Sequence, residues 1–257
     1  MKVVILAGGL GTRISEESLL RPKPLIEIGS KPIIWHIMKH YSQFGLNDFI
    51  ICCGYKGYMI KEYFYNYSLH TSDATIDIKK NKLTFHNNKV EPWKITLIDT
   101  GINTYTGGRI KRVKNFLSED FCLTYGDGLS NVDVKKTINF HKKHKKYVTV
   151  TAVQPKGRFG VISLDKNNNV KKFSEKLKGD QGWVNGGFFV LNKKILNFIK
   201  DDNTIWEQHS LPKLSSENQI QAYKHSGFWY PMDTIRDKEY LEELWNKKDC
   251  PWKSWDE

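Results

Sequence analysis

A glycine-rich loop that ends in an arginine follows the first hydrophobic run of the chain. Residues 3–13 have the sequence VVILAGGLGTR, with Gly8, Gly9 and Gly11 between the apolar run and Arg13. Because glycine lacks a Cβ atom, backbone N–H groups in such a loop can come close to phosphate oxygens. The guanidinium of Arg13 adds a permanent, delocalised positive charge that suits the same oxygens. The loop therefore predicts a phosphate-binding site.

Two familiar phosphate-binding fingerprints do not fit this loop. The dinucleotide fingerprint GxGxxG would need glycine at position 14, which is Ile14. The Walker loop would need Gly-Lys-Ser/Thr where the chain has Arg13, Ile14 and Ser15. A plain structural turn is the alternative, but three glycines followed by an arginine argue against it.

A lysine held between two prolines is the second candidate phosphate contact. Lys23 lies between Pro22 and Pro24, shortly after the glycine loop. Proline fixes its own φ angle and disfavours helix in the residue before it, which predicts an extended segment that presents Lys23 rigidly. An ordinary surface lysine is the alternative interpretation.

Two aspartates predict a magnesium site. Asp127 follows a hydrophobic run in TYGDG and has glycine on both sides, which leaves room for a cation. Asp233 follows the run GFWYPM. Mg²⁺ prefers one or two carboxylates together with substrate phosphates and waters, so two aspartates suffice. The alternatives are a turn residue for Asp127 and the N-cap of the following helix for Asp233.

Composition narrows the class of protein. The chain has 257 residues and a formal net charge of +12, but its basic runs lie far apart, at 79–82, 109–114 and 141–146, and match no nucleic-acid motif. No apolar run approaches the roughly 20 residues that cross a bilayer, and the N-terminus does not resemble a signal peptide. We therefore expect a cytoplasmic protein that binds neither nucleic acid nor membrane.

Cysteines and histidines give no sign of a structural metal site. No cysteine pair has CxxC spacing, and we expect reduced thiols. His36 and His40 lie four residues apart on a predicted helix, but Ile37 stands where the HExxH zinc motif has glutamate, which favours packing roles. The four cysteines are Cys52, Cys53, Cys122 and Cys250.

The elements that position these residues alternate between strand and helix. Strand-like runs at 2–7, 48–54 and 120–128 are separated by helical patterns, among them about 108–117, and a further helical pattern spans about 204–214. This order predicts an α/β fold with a Rossmann-like, mostly parallel mixed sheet flanked by helices. We expect one domain over 1–257, with a half that carries the glycine loop to about 150 and a smaller, more β-rich half from about 151 that ends in a helix near 234–245.

The motifs, in their order along the chain, resemble the sugar-1-phosphate nucleotidylyltransferases. LAGGLGTR followed by RPKPLIEIGSKP is typical of that family as a whole. The combination of ICCGYKGY, TGGRIKR and GFWYPMDT is similar to its CTP-using branch. The resemblance covers essentially the whole chain and includes FCLTYGDG and NGGFFVLN.

The resemblance implies a reaction. CTP and α-D-glucose 1-phosphate would give CDP-glucose and pyrophosphate, with Mg²⁺ as cofactor and in-line attack of the sugar phosphate on the α-phosphorus. Catalysis would consist of positioning and charge neutralisation, without a covalent protein intermediate. A relative that uses UTP or dTTP, a catalytically inactive nucleotide-sugar-binding subunit and a basic nucleic-acid-binding protein are the alternatives.

The resemblance also implies roles for individual residues. Arg13 and Lys23 would be catalytic, and Asp127 and Asp233 would hold the metal. The residues implied in nucleotide binding are Leu6, Ala7, Gly8, Gly9, Leu10, Gly11, Thr12, Arg13, Lys23, Thr104, Arg109 and Gly126. The residues implied in sugar-phosphate binding are Glu175, Lys176, Asn185 and Gly186. Leu177 stands where the family usually has proline after the Glu-Lys pair.

The resemblance finally implies a setting. It suggests a cytoplasmic protein that assembles into a homo-oligomer, for which a hexamer is one candidate form. The product would supply dideoxysugars of a surface polysaccharide, such as the O-antigen of lipopolysaccharide.

Overall fold

The computed structural model describes residues 1–87, 90–155, 161–164, 170–174, 182–247 and 250–255. The strands in these ranges are β1 (Lys2–Ala7), β2 (Glu27–Ile28), β3 (Lys31–Pro32), β4 (Asp48–Cys53), β5 (Asp73–Asp77), β6 (Lys82–His86), β7 (Lys94–Asp99), β8 (Asp120–Tyr125), β9 (Gly128–Ser130), β10 (Val148–Val153), β11 (Val161–Leu164), β12 (Val170–Ser174), β13 (Val184–Asn192), β14 (Ile220–His225) and β15 (Trp229–Pro231). The α-helices are α1 (Ser15–Ser18), α2 (Ile33–Ser42), α3 (Gly57–Tyr65), α4 (Tyr67–Thr71), α5 (Thr106–Arg112), α6 (Val134–His144), α7 (Leu211–Ser216) and α8 (Ile235–Asn246).

Seven strands form the central sheet, in the order β14-β10-β13-β8-β1-β4-β7. Strand β13 is antiparallel to both of its neighbours, and every other pair in this sheet is parallel. The sheet is therefore mixed and mostly parallel, which confirms the predicted α/β fold. Strands from both predicted halves of the chain, such as β1 and β13, belong to this one sheet.

Both faces of the sheet are buried. Val3 and Ile5 of β1 join the hydrophobic core on the face covered by α2. Val4 and Leu6 alternate with them and join the core on the face covered by α5. A run of consecutive apolar residues is what a strand covered on both faces requires. The order along the chain thus places the carboxyl end of β1, and the glycine loop after it, at the edge where ligands bind in open α/β sheets.

Two predicted helices differ from the observed ones. The helix predicted over 108–117 is α5, which ends at Arg112, followed by a 3-10 turn at Lys114–Phe116. Val113 and Leu117 are buried in the same core as Ile110, so the helical spacing of apolar residues persists although the backbone winding changes.

The helix predicted over 204–214 is divided. A π-helical turn at Trp206–Ser210 precedes α7. Pro212 has no N–H to donate to the carbonyl four residues earlier, so a regular α-helix would lose that hydrogen bond here. Turns of this kind are often found at functional sites.

Candidate active site

The glycine loop leaves the sheet at Ala7 and turns sharply at Gly11. Gly11 has φ +68°, and a Cβ atom there would lie 3.0 Å from the Cβ of Ser18. The carbonyl of Gly11 accepts hydrogen bonds from the N–H of Ile14 and the hydroxyl of Ser18, at 3.1 and 3.0 Å. These bonds hold the turn that presents Arg13, whose side chain is 75% exposed at the mouth of the site.

Lys23 contacts both predicted metal ligands. Its Nζ lies 2.7 Å from Oδ2 of Asp127 and 2.8 Å from Oδ1 of Asp233. Asp233 also accepts a 2.8 Å hydrogen bond from Arg13. Residues from three distant stretches of the sequence therefore form one charged cluster beside the glycine loop. Lys23 begins a 3-10 turn, so the extended conformation predicted for it is wrong and belongs to Pro22 alone.

Strand pairing explains how the two aspartates meet. The short strands β9 and β15 pair antiparallel with Gly128 opposite Pro231. The N–H of Met232 then donates to the carbonyl of Asp127 at 2.8 Å. Asp127 and Asp233 consequently flank the same end of one small two-stranded sheet.

The side chain of Asp233 is not used as a helix cap. Thr234 is the N-cap of α8, and its side chain and that of Asp237 form a capping box. The N–H of Asp233 donates to Asp237 at 3.0 Å, which leaves the Asp233 carboxylate to Lys23 and Arg13. The alternative interpretation of Asp233 as an N-cap is therefore wrong.

The charge of Lys23 is stabilised. Burial opposes its charged form, but the charges and hydrogen bonds of Asp127 and Asp233 outweigh burial, so the pKa of Lys23 lies above its usual value. Only 13% of the side chain is exposed. Lys23 thus remains an ammonium ion at any pH near neutrality.

Arg109 lines the same cavity, but its guanidinium is directed at the protein backbone. Its Nη2 donates to the carbonyl of Gly8 at 2.9 Å, and its Nη1 donates to the carbonyl of Gly101 and the hydroxyl of Thr100 at 2.8 and 2.7 Å. Burial lowers its pKa from the usual value. A Cβ atom on Gly8 would come within 2.1 Å of this guanidinium. These bonds make Arg109 a residue that holds the glycine loop, while its implied part in nucleotide binding stays a prediction.

One cavity of about 730 Å³ joins these parts. Thr104, 7% exposed, lies in its wall. Gly126 lies there too, where a Cβ atom would meet the carbonyl of Leu6 at 3.0 Å, so this glycine lets β1 and the end of β8 come close together. The predicted nucleotide-binding residues that line the cavity are Leu6, Ala7, Gly8, Gly9, Leu10, Gly11, Thr12, Arg13, Lys23, Thr104, Arg109 and Gly126.

Two of the predicted sugar-phosphate residues, Asn185 and Gly186, lie beside a second, smaller cavity of about 40 Å³. Asn185 is exposed there and donates through Nδ2 to the hydroxyl of Tyr125 at 3.3 Å. A Cβ atom on Gly186 would lie 2.9 Å from the carbonyl of Thr151, so Gly186 allows close contact with β10. Glu175 and Lys176 lie outside the described residues.

Sequence reasoning missed Tyr125 and Thr106 in the walls of these cavities, and also Glu207, which bonds to both. The Glu207 carboxylate accepts hydrogen bonds from the hydroxyls of Tyr125 and Thr106, the latter at 2.8 Å. Tyr125 directly precedes Gly126, so its position in TYGDG was the signal for it. The sequence around Glu207 carries no comparable signal.

The two aspartates fit a divalent cation. Both carboxylates lie within 2.8 Å of the same ammonium nitrogen, so they already share one cation. Two carboxylates completed by substrate phosphates and water are the donor set that Mg²⁺ prefers. Within the described residues, no group of three or more His, Cys, Asp or Glu side chains could hold a metal ion.

The described cysteines carry free thiols. Burial raises the pKa of Cys53 to about 11 and that of Cys122 to about 12, so both thiols stay protonated. No helix in the described ranges has the length and apolar character that crossing a membrane requires.

Comparison with known proteins identifies a family and a branch. The nucleotidyl transferase family model matches residues 2–235. The chain is 55% identical over 258 aligned positions to glucose-1-phosphate cytidylyltransferase of Salmonella typhimurium, with 100% of both chains covered. It is 41% identical to a probable glucose-1-phosphate cytidylyltransferase of Bacillus subtilis, with 99% of this chain and 100% of that one covered.

A solved structure supports the fold. HddC from Yersinia pseudotuberculosis superposes with a TM-score of 0.69 at 25% identity, over 95% of this chain and 99% of that one.

Proposed function

The chain belongs to the nucleotidyl transferase family, and on that premise we propose that it transfers a cytidylyl group from CTP to α-D-glucose 1-phosphate. The products are CDP-glucose and pyrophosphate. The observation that carries this proposal is the cluster of Arg13, Lys23, Asp127 and Asp233 beside the glycine loop. It brings two cationic and two carboxylate side chains together beside backbone that can approach phosphate, and Arg13, Lys23 and Asp127 line the large cavity.

The reaction needs charge neutralisation more than a nucleophilic side chain. An oxygen of the sugar phosphate attacks the α-phosphorus of CTP, and the bond from that phosphorus to the oxygen bridging to the β-phosphate breaks. Pyrophosphate leaves with the electron pair of the broken bond. Both substrates are anions, so they repel each other until cations are placed between them.

Arg13 and Lys23 provide that charge. The exposed guanidinium of Arg13 binds the triphosphate in two-point fashion where the substrate enters. Lys23, largely buried beside the glycine loop, holds the α-phosphate and the charge that develops there. Asp127 and Asp233 would hold a divalent metal, Mg²⁺ in our proposal, which would supply further neutralisation of phosphate oxygens.

The setting follows from the substrates and the surface. We place the enzyme in the cytoplasm, where nucleoside triphosphates are available and thiols stay reduced. We also propose a homo-oligomer, with a hexamer as the form to test, because one face of the β5–β6 hairpin exposes apolar side chains. Nucleic acid and membrane are not partners in this proposal.

Pyrophosphate release tests the function directly. Purified protein is incubated with glucose 1-phosphate, Mg²⁺ and one of CTP, UTP, dTTP, GTP or ATP. We expect release with CTP at least about tenfold faster than with the other nucleotides. Faster release with UTP or dTTP would replace the nucleotide but keep the chemistry. No release with any nucleotide would contradict the proposal and favour a nucleotide-sugar-binding subunit.

A further inference from the structure

Two local irregularities of the backbone, a π-helical turn and a β-bulge, meet at Tyr125. The π-helical turn carries Glu207, and β13 bulges opposite β10 between Asn185 and Phe189. Gly187 inside this bulge has φ +77°. Bulges of this kind often redirect a side chain next to an active site. The turn contributes Glu207 and the bulge contributes Asn185 to the same chain of hydrogen bonds.

The chain of hydrogen bonds has a fixed direction. Asn185 donates through Nδ2 to the Tyr125 hydroxyl, and its Oδ1 accepts from the N–H of Gly187 at 2.8 Å. The Tyr125 hydroxyl in turn donates to Oε1 of Glu207. Because Tyr125 has one hydroxyl hydrogen, this donation leaves its oxygen to accept from Asn185. The orientation of the Asn185 amide is thereby set from both of its ends.

The ring of Tyr125 is held as firmly as its hydroxyl. A Cβ atom on Gly187 would lie 2.5 Å from Cδ2 of Tyr125, so the ring packs against bare backbone. It also packs edge-on against Phe189, with ring centroids 6.1 Å apart. Burial, followed by the charge of Glu207, raises the pKa of Tyr125 above its usual value, so the hydroxyl keeps its proton.

Glu207 also supports the nucleotide side of the cavity. Its Oε2 accepts from the hydroxyl of Thr106, the first residue of α5. That hydroxyl oxygen accepts in turn from the N–H of Trp206 at 2.9 Å. The same helix carries Arg109, which holds the carbonyl of Gly8. One carboxylate thus connects the glycine loop with the bulge of β13.

We propose that Glu207 and Tyr125 are positioning residues that orient Asn185 toward the sugar phosphate while Glu207 fixes the start of α5. This inference rests on the proposed function. Tyr125 lines both the large and the small cavity, so it lies on the border between the two substrates. Asn185 is exposed, which leaves its amide accessible to a ligand hydroxyl.

Variants separate the effects of the two arms of Glu207, which are the hydrogen bonds it accepts from Tyr125 and from Thr106. Tyr125→Phe removes the hydroxyl and keeps the ring, and we expect KM for glucose 1-phosphate to rise about three- to tenfold with KM for CTP within twofold. Thr106→Val removes the other arm with little change in volume. We expect KM for CTP to rise about three- to tenfold, with KM for glucose 1-phosphate within twofold. Glu207→Ala removes both arms and should raise both KM values, that for glucose 1-phosphate about tenfold.

A conservative variant and a double mutant test whether Glu207 acts through Tyr125. Glu207→Gln keeps an acceptor for Tyr125 and gains a donor for Thr106, so most of the loss should be restored. Adding Glu207→Ala to Tyr125→Phe should raise KM for glucose 1-phosphate no further than about twofold, because coupled residues are non-additive. Glu217→Ala, an exposed glutamate at the end of α7, is the matched control.

The outcomes are distinct. Unchanged KM for glucose 1-phosphate in Tyr125→Phe and Glu207→Ala would overturn the inference, as would a lower melting temperature with both KM values unchanged. Additive effects in the double mutant would also overturn it. Failure of the wild-type protein to release pyrophosphate from CTP would count against the proposed function instead, because the variants are compared only with an active parent.

Discussion

A single ammonium group occupies the place between the two predicted metal ligands. Lys23 neutralises Asp127 and Asp233, and only 13% of its side chain is exposed. A metal bound by the same carboxylates must compete with this ammonium or share them with it. Lys23 therefore affects metal affinity and phosphate binding in opposite directions.

Replacing Lys23 by methionine tests this competition. Lys23→Met keeps most of the volume and leaves the two carboxylates without their ammonium partner. We expect tighter Mn²⁺ binding to the nucleotide-free protein by isothermal titration calorimetry, while turnover falls about 10²- to 10³-fold, as for loss of one preorganised donor. Asp127→Asn is the comparison, with weaker Mn²⁺ binding expected. Unchanged Mn²⁺ affinity in both variants would contradict the proposed metal site.

Replacing Arg109 by lysine tests whether its guanidinium holds the glycine loop. Lysine keeps the charge but cannot bond the carbonyls of Gly8 and Gly101 and the hydroxyl of Thr100 from one planar group. For Arg109→Lys we expect KM for CTP to rise about tenfold or more and thermal stability to fall, because the glycine loop loses its support.

The control for this variant is Arg112→Lys on the next turn of α5. Arg112 pairs with Asp202 at the surface, where ion pairs contribute little to stability because water screens the charges. Its kinetic constants should stay within twofold of wild type. Equal changes in KM for CTP in the two variants would mean that Arg109 does not hold the glycine loop.

Helix α2 carries two buried histidines, His36 and His40. Nε2 of His36 lies 2.9 Å from the carbonyl of Ile28, and Nδ1 accepts a hydrogen bond from Trp252. Burial, together with the charge of Lys31, lowers the pKa of His36 to about 4 from its usual 6.5, although the hydrogen bond to Ile28 opposes this change. His40 on the same helix also has a pKa of about 4, chiefly because of burial.

These histidines predict acid sensitivity of the fold. Between pH 6.5 and 4 the unfolded chain binds protons that the folded state does not, so the free energy of unfolding falls as pH drops through this window. Each such histidine contributes a slope of up to about 1.4 kcal/mol per pH unit. Urea unfolding at pH 7.5, 6.0 and 5.0 should show a shallower dependence in His36→Gln than in wild type. Equal slopes would contradict this assignment.

The elements that the sequence predicted best are those with an unbroken physical signal. The run of apolar residues over β1 predicts a strand buried on both faces, and the glycines after it predict the loop. The π-helical turn at Trp206–Ser210 was not predictable in this way, because its residues follow the same apolar spacing as an α-helix. Spacing alone does not distinguish the two windings.

Side-chain direction was the harder part of the site. Arg109 follows two glycines at the start of a basic helix, a pattern that favours an anion site, yet its guanidinium bonds to backbone. The meeting of Asp127 and Asp233 depends on the pairing of β9 with β15, which is a contact between residues about a hundred positions apart. Such contacts follow from tertiary packing and leave no local trace in the sequence.

In the described part of the molecule, the β5–β6 hairpin is the clearest apolar surface that no other layer covers. The strands form their own two-stranded sheet. Cross-strand pairing puts Ala74, Ile76, Leu83 and Phe85 on one face, while threonines and charged side chains occupy the other. Ile76 is 64% exposed and Phe85 is 37% exposed. An isolated hairpin is marginally stable in water, so its apolar face needs a partner.

The proposed homo-oligomer gives this apolar face its occupant, a second copy of the chain. Phe85→Asp places a charge on the apolar face, and burying that charge in an interface would be costly because it has no partner there. We therefore expect light scattering after size-exclusion chromatography to show a smaller assembly than wild type. Thr84→Asp adds the same charge to the polar face and should leave the assembly intact. A wild-type monomer, or equal assemblies for both variants, would show that the hairpin joins no copies of this chain.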